Sequence, residues 1–84
     1  MSKIDEAIAA IQGAMNQLND TLTSIGTAGA EADEAHQGAV ALGADGVAEA
    51  MSHCREALDK AAGACGSVSD ALEEAVTAAQ STSG

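Results

Sequence analysis

Residues 43–46, Gly43-Ala44-Asp45-Gly46, stand near the middle of this 84-residue chain and decide its fold. On either side of them, apolar residues recur at alternating steps of four and three, which keeps one face of a helix against a partner helix. Before the segment, this stripe consists of Ile4, Ile8, Ile11, Met15, Leu18, Leu22 and Ile25. After it, the stripe consists of Val47, Met51, Cys54, Leu58, Ala61, Cys65, Val68 and Leu72. The pattern predicts an all-α fold, an antiparallel hairpin of two long helices.

The composition favours helices and gives a single copy little to bury. Proline is absent, so no pyrrolidine ring interrupts a helix. Phe, Tyr and Trp are absent as well, and these side chains supply the largest buried areas. Each helix of an isolated hairpin buries only one stripe, which is usually too little to offset the chain entropy. We therefore expect the hairpin to assemble into a dimeric four-helix bundle or a larger helical assembly.

The predicted helix ends follow from their capping residues. Ser2 is a suitable N-cap for the first helix, and Asp5 and Glu6 suit the positive end of its dipole. Gly43 can adopt the left-handed conformation that ends this helix, and Asp45 is the expected N-cap of the second. A single domain then covers residues 1–84, with a first helix over about 3–42, a turn at 43–46, a second helix over about 46–79 and a polar tail at 80–84.

Two glycines weaken the first helix near its middle. Gly26 and Gly29 each cost up to about 1 kcal/mol relative to Ala in a helix interior. The sequence thus allows a kinked or continuous helix, or a break near 26–29 into two helices. We favour the unbroken helix, because a first helix that ended at Ile25 would leave much of the second helix uncovered.

Side-chain sizes support an antiparallel register in which the numbers of level residues add up to about 89. The bulky Leu18, Leu22 and Ile25 then face the small residues of 61–66, as close packing requires. In this register the start of the first helix extends beyond the second helix and lacks an intramolecular partner. We predict that this end forms a partner interface, made of Ile4, Ile8, Ile11, Met15 and Leu18.

Two histidines are the residues most able to hold a metal. The register places His36 and His53 level with each other, with Asp33 and Glu49 one helical turn before them. Two imidazoles and two carboxylates between facing helices resemble the ligand sets of metal-binding bundles. Two solvated histidines beside the seam explain the same residues, and we favour that interpretation. We therefore predict no metal and no cofactor, with these four residues as the candidate ligands.

The cysteines do not indicate catalysis. Cys54 and Cys65 are eleven residues apart on one helix, about 16 Å along its axis, which is too far for a disulfide. Both suit small apolar positions in a reducing cytoplasm, with an intermolecular disulfide as the alternative. Neither has the base and orienting group that a nucleophile needs. We expect a protein that is not an enzyme.

The charge of the chain limits its partners. Thirteen acidic residues against three Lys and Arg give a net charge of −10. Such a chain repels nucleic acid and anionic lipid surfaces, whereas a basic protein partner is compatible with it. The sequence has no apolar run long enough to span a membrane and no signal peptide pattern. We expect a cytoplasmic protein, with export only by a route that needs no signal peptide.

The short acidic, Ala-rich hairpin around a glycine-containing turn resembles the WXG100 (ESAT-6-like) proteins. These are small helical hairpins that dimerise into four-helix assemblies and travel through type VII secretion systems, often with effectors. The place of their Trp-x-Gly turn motif is taken here by Leu42-Gly43-Ala44-Asp45-Gly46, which keeps glycine without Trp. Their export signal needs a Tyr, and this chain has none. The Ala- and Gly-rich usage is typical of a GC-rich bacterial genome.

The resemblance implies a function in helix-mediated protein–protein interaction. We predict a WXG100-like partner or chaperone of a secreted protein, whose own partner is a second copy or another small helical protein. One alternative is a structural protein that assembles with itself. The other is an acidic immunity or inhibitor protein that masks a basic partner.

Overall fold

The computed structural model describes residues 2–83, except for the side chain of Ser83, and consists of two α-helices. Helix α1 covers Lys3–Ala41 and helix α2 covers Asp45–Ser83. The two helices pack against each other as an antiparallel hairpin, and no strand occurs among the described residues. The predicted fold class is confirmed, while the dimeric assembly stays a prediction.

The N-terminus of α1 is capped as the sequence predicts. The Ser2 hydroxyl accepts a hydrogen bond from the Asp5 backbone N–H at 3.1 Å. The Ser2 carbonyl accepts another from the Glu6 N–H at 3.1 Å. Asp5 and Glu6 occupy the first turn, where their charges oppose the positive end of the helix dipole.

The turn uses Gly43 for its left-handed conformation, with φ at +73°. The Ala44 N–H reaches back to the Ala39 carbonyl at 2.9 Å, so the last turn of α1 keeps its carbonyls hydrogen-bonded. The first bond of α2 runs from the Ala48 N–H to the Ala44 carbonyl at 3.0 Å. Ala44 therefore holds the N-cap position predicted for Asp45, and Asp45 contributes its charge from the first turn of α2.

Helix α1 is unbroken, as favoured from the sequence, whereas helix α2 extends beyond its predicted end at residue 79. Helix α1 passes through 26–29 without a break, and the Thr27 hydroxyl donates to the Thr23 carbonyl at 3.2 Å. Helix α2 continues through 80–83, so the predicted polar tail is helical there, and Gly84 lies outside the described residues. The Ser81 and Thr82 hydroxyls donate to carbonyls four residues earlier, which removes their competition with the helix.

The two helices match in length, which corrects the predicted overhang. Each has 39 residues, and the hairpin measures 62 × 16 × 12 Å. A helix of this length spans about 58 Å at 1.5 Å per residue, so the helices overlap almost completely. Ile4 and Ile8 thus lie beside the last turns of α2, and both are half-buried. The prediction stopped α2 at residue 79 and so left these isoleucines without a neighbour.

The structure rotates α2 relative to the predicted stripe. One predicted column is correct, since Met51, Leu58, Cys65 and Leu72 are half-buried in the seam between the helices. The other is wrong, since four of its members are exposed: Val47, Cys54, Ala61 and Val68. Five other residues lie in the seam in their place: Ala48, Arg55, Ala62, Ser69 and Val76. Most of these are small, which lets α2 approach the bulky stripe of α1 closely.

The best-buried part of the seam lies near the turn and is built from alanines. Ala32 and Ala39 of α1 and Ala48 of α2 are only 6–7% exposed. No side chain in the described part of the chain is completely buried. Two helices in one layer cannot surround a side chain, so even the isoleucines and leucines of the seam keep one side in solvent.

Candidate functional site

The predicted partner interface lies in the seam of the hairpin. Its five residues point towards α2 and are half-buried: Ile4, Ile8, Ile11, Met15 and Leu18. An open groove at this end is lined by Met15 and Gln12 from α1 and by Glu73, Val76 and Thr77 from α2. The five residues stay a prediction as an interface, but a partner would meet only the side that α2 leaves open.

His36 is one of the seam residues. Its ring Nδ1 donates a hydrogen bond to the Ala48 carbonyl of α2 at 2.9 Å. The Ser52 hydroxyl lies 3.5 Å from the same nitrogen. This hydrogen bond links α1 to α2 close to the turn.

His53 lies on the outer face of α2, not opposite His36 as the sequence register placed it. Its side chain is 70% exposed. Its Nε2 is 3.8 Å from a Glu49 carboxylate oxygen, and its Nδ1 is 3.7 Å from a Glu56 carboxylate oxygen. Ser52, one residue earlier, takes the position beside His36 because α2 is rotated relative to the predicted stripe.

The four candidate metal ligands are therefore not brought together. Asp33 pairs with Arg55 of α2, with 3.6 Å between a carboxylate oxygen and Nη1, whereas Glu49 pairs with His53. Among the described residues, no group of three or more His, Cys, Asp or Glu is placed to hold a metal ion.

Arg55 is the residue of the seam that sequence reasoning missed. Its guanidinium also lies 3.3 Å from an Asp59 carboxylate oxygen, so it is held between Asp33 and Asp59. Gly29 of α1 provides the space for it, because a Cβ there would collide with Nη1 and lie 3.1 Å from Cζ. The signal available in the sequence was the small residue Gly29 in the apolar stripe, opposite an arginine flanked by acidic residues.

The two cysteines differ in their surroundings. Cys54 is exposed and Cys65 is half-buried in the seam, and both are free thiols. Cys54 belongs to the column that the rotation of α2 turns outward. The seam position expected for it is therefore wrong, and its thiol is accessible on the surface of the hairpin.

The outward rotation of α2 leaves a second stripe with the same alternating spacing of three and four. We call it the outer stripe of α2, and its ten residues are all exposed: Val47, Ala50, Cys54, Ala57, Ala61, Ala64, Val68, Ala71, Ala75 and Ala78. None of them is charged or polar apart from the thiol. On the same side of the hairpin, α1 contributes Ala7, Ala14, Thr21, Ala28, Ala35 and Leu42.

The opposite side of the hairpin is polar. It holds the ion pairs of Arg55 with Asp33 and Asp59, the Ser52 contact and the groove residues Gln12 and Glu73. The hairpin therefore has one charged side and one apolar side, although both are equally open to solvent. This difference between the two sides is the feature of the molecule most able to direct an association.

The turn end of the apolar side carries the largest exposed aliphatic side chains. Leu42 is 85% exposed and Val47 is 54% exposed. Val40, which is 57% exposed, lies seven residues after Asp33 and therefore on the polar side. Leu42 is the C-cap of α1. The apolar side thus extends to the tip of the hairpin.

Comparisons with known proteins identify no relative of this chain. No protein family model, no curated protein and no solved structure matches the chain. Within the described residues, neither helix is long and apolar enough to cross a membrane.

Proposed function

We propose that the protein is a helix-mediated interaction module, acting as a WXG100-like partner or chaperone of a protein secreted by a type VII-type system. The observation that carries the proposal is the division of the hairpin into a charged side and an apolar side. An exposed apolar surface on a small acidic protein is typical of a protein–protein interaction site. The resemblance in shape, composition and glycine-containing turn supports the assignment to secretion.

The energetics of the isolated hairpin favour association. The best-buried residues are Gly29 and the three alanines Ala32, Ala39 and Ala48. Their small side chains contribute little apolar area. At about 25 cal/mol per Å² of apolar surface, a seam of half-buried side chains stabilises the fold only modestly. A partner that covers the apolar side would bury the exposed Leu42, Val47 and Val68 and so stabilise the hairpin.

The missing export-signal residue determines which protein carries the signal in our proposal. The chain has no Tyr and so lacks the residue of the export signal. In our proposal the partner carries that signal, and the hairpin accompanies or protects it. A protein of this kind accumulates with its partner and is absent from the culture medium when the partner is deleted.

The proposal is tested by tagging the chain in its native host and measuring its abundance in cells and in culture medium. We expect a secreted helical partner to co-purify, and we expect loss of both proteins from the medium when the gene of the secretion ATPase is deleted. Ala64→Glu, in the centre of the outer stripe of α2, should remove the partner, whereas Ala30→Glu on the outer face of α1 should retain it. Equal partner recovery with both variants would contradict the proposal.

The acidic inhibitor is the alternative that a specific observation supports. Asp70, Glu73 and Glu74 line an open groove on α2 with Thr77 and Ala78. A basic partner would bind this acidic surface of α2 and lose affinity as the salt concentration rises. Binding by the acidic inhibitor should weaken with rising salt concentration and should be unaffected by Ala64→Glu. Binding by the proposed partner or chaperone should be lost in Ala64→Glu.

A further inference from the structure

We propose that the hairpin opens in two steps, with the end away from the turn opening before the half that contains the turn. We call residues 3–20 of α1 and 68–83 of α2 the free half, and residues 28–41 and 45–60 the turn half. The inference goes beyond the proposed function, because it concerns the hairpin without a partner.

Two polar contacts hold α1 to α2 in the turn half. His36 Nδ1 donates to the Ala48 carbonyl at 2.9 Å, and an Asp33 carboxylate oxygen lies 3.6 Å from Arg55 Nη1. A polar contact across the seam contributes to stability only while both helices stay in place. Opening of the turn half therefore breaks these two contacts, whereas opening of the free half leaves them intact.

Burial differs between the two halves in the same way. All the buried residues that the structure describes lie in the turn half: Gly29, Ala32, Ala39 and Ala48. In the free half, the described side chains that face the seam keep one side in solvent. Segments with few buried contacts open at a lower free energy than the rest of a protein. The free half is therefore the part of the seam that opens more easily.

The connection of the chain also decides the order of opening. The free half ends in the two chain termini, so its opening releases two unconstrained segments. If the turn half opened alone, the closed free half would hold the released chain as a loop. A closed loop has less conformational freedom than two free ends. Opening therefore starts at the free half.

Contacts on both sides of the middle give the two helices one register. Towards the turn, Asp33 pairs with Arg55, and towards the free end, Met15 and Glu73 line one groove. Counting between these two pairs gives the mid-level of the hairpin, residues 21–27 of α1 beside 61–67 of α2.

Both helices contain glycines at the mid-level that packing does not require. A Cβ at Gly26, Gly63 or Gly66 would meet no atom within 4 Å. Apart from Pro, Gly is the residue least favourable to a helix interior. The two helices are therefore intrinsically weak at the same level.

Three threonines of α1 add to this weakness. Thr21, Thr23 and Thr27 are all exposed, so their side chains gain little from packing. Their β-branched side chains lose rotational freedom in a helix. A segment of about 20 residues without its partner helix is only marginally helical in water. An opening that starts at the free end therefore extends through the mid-level and stops where Gly29 meets Arg55.

The open form exposes the face that the sequence predicts as a partner interface. In the closed hairpin, α2 covers one side of this face. When the free half opens, both sides become accessible while the turn half keeps the two helices joined. The residues concerned are Ile4, Ile8, Ile11, Met15 and Leu18.

Hydrogen exchange of the unmodified chain, followed by NMR for each backbone amide, tests the order of opening. We compare amides in the interior of each half, away from the helix ends, after correction for their intrinsic exchange rates. The free half should exchange at least about tenfold faster than the turn half. Equal exchange in the two halves would overturn the inference.

Two matched substitutions test whether the halves open separately. Gly13 lies in the free half and Gly38 in the turn half, and a Cβ at either would meet no atom within 4 Å. Each change to Ala should slow any opening that unwinds its position by about fivefold. Gly13→Ala should therefore slow exchange in both halves, because complete unfolding includes the free half. Gly38→Ala should slow exchange in the turn half only, because residue 38 stays helical when the free half opens.

The outcomes separate two opening units from one. Equal slowing of both halves by Gly38→Ala would show a single cooperative unit and overturn the inference. Gly26→Ala tests the boundary, since it should slow exchange in the free half as much as Gly13→Ala does. Unchanged exchange of the free half in Gly26→Ala would show that the opening stops before the mid-level. Partner recovery with Ala64→Glu is a separate measurement, so the proposed function stands or falls independently of these results.

Discussion

The guanidinium of Arg55 on α2 lies against Gly29 on α1, in the space that a Cβ of residue 29 would occupy. Asp33 and Asp59 hold it there, and the Arg55 side chain remains 41% exposed. Its aliphatic stem covers the seam while its charge reaches the polar side. A polar residue at a single position of a helix pair specifies its register at a cost in stability. This pair therefore aligns the two helices at a polar position within an otherwise apolar part of the seam.

The first prediction concerns Gly29 and its matched control Gly26. Ala favours a helix over Gly by about 1 kcal/mol, and a Cβ at Gly26 meets no atom within 4 Å. Gly26→Ala should therefore raise the free energy of unfolding by about that amount. Gly29→Ala should raise the free energy of unfolding by less, because the new methyl group displaces the Arg55 guanidinium. Urea unfolding at equal chain concentration measures both, and equal gains would contradict the contact. In an Arg55→Ala background the two gains should become equal.

The second prediction concerns the two glycines of the turn region. Gly43 has φ at +73°, which costs a residue with a side chain about 1–2 kcal/mol. Gly46 is helical with no atom near its missing Cβ. We expect Gly43→Ala to lower the thermal midpoint and Gly46→Ala to leave it unchanged or raise it. The same sign of shift for both would show that the turn does not depend on the left-handed residue.

The third prediction concerns packing near the turn. Ala32 is 6% exposed in the seam, whereas Ala30, two residues earlier, is exposed on the outer face. Ala32→Leu should destabilise the hairpin by about 1–3 kcal/mol, because the added atoms force the helices apart. Ala30→Leu should change stability by less than about 0.5 kcal/mol. Thermal unfolding followed by circular dichroism measures both, and a neutral Ala32→Leu would argue against close approach of the helices there.

The fourth prediction separates the two histidines. His36 donates to the Ala48 carbonyl across the seam, whereas His53 is 70% exposed on the outer face. His36→Ala should cost about 0.5–1.5 kcal/mol for the hydrogen bond, and more for the lost packing of the ring. His53→Ala should be nearly neutral. Nitrogen NMR of the unmodified chain should find the proton of His36 on Nδ1, and a proton on Nε2 alone would contradict the hydrogen bond.

Much of the fold could be predicted from local signals. The missing proline, the Ser2 cap, the apolar spacing of α1 and the left-handed Gly43 each act within a few residues, so the sequence displays them directly. The end of α2 was predicted too early, because polar residues in 80–83 suggest a tail. The Ser81 and Thr82 hydroxyls instead bond to the preceding turn beside the start of α1.

The candidate site could be predicted only in part. Cys54 is more apolar than Arg55, so hydrophobicity favours Cys54 for the seam and makes Arg55 a surface residue. Whether Cys54 or Arg55 lies in the seam depends on Gly29 and Asp33. These two residues are far from Arg55 in sequence and come near it only when the helices pack. The outer stripe of α2 was missed for the same reason, since its two valines were assigned to the seam.

The sequence by itself determined that this chain forms two helices, where they turn and which column of α2, from Met51 to Leu72, faces α1. These features depend on backbone preferences and on the spacing of apolar residues along one helix. Only the tertiary structure decided which neighbouring column joins the seam and which remains exposed. The column that starts at Val47 and the one that starts at Ala48 both satisfy the alternating spacing with Met51 and Leu58. Helix α1 selects the second column, because its bulky stripe packs against Ala48, Ala62 and Ser69 and its Gly29 leaves space for Arg55.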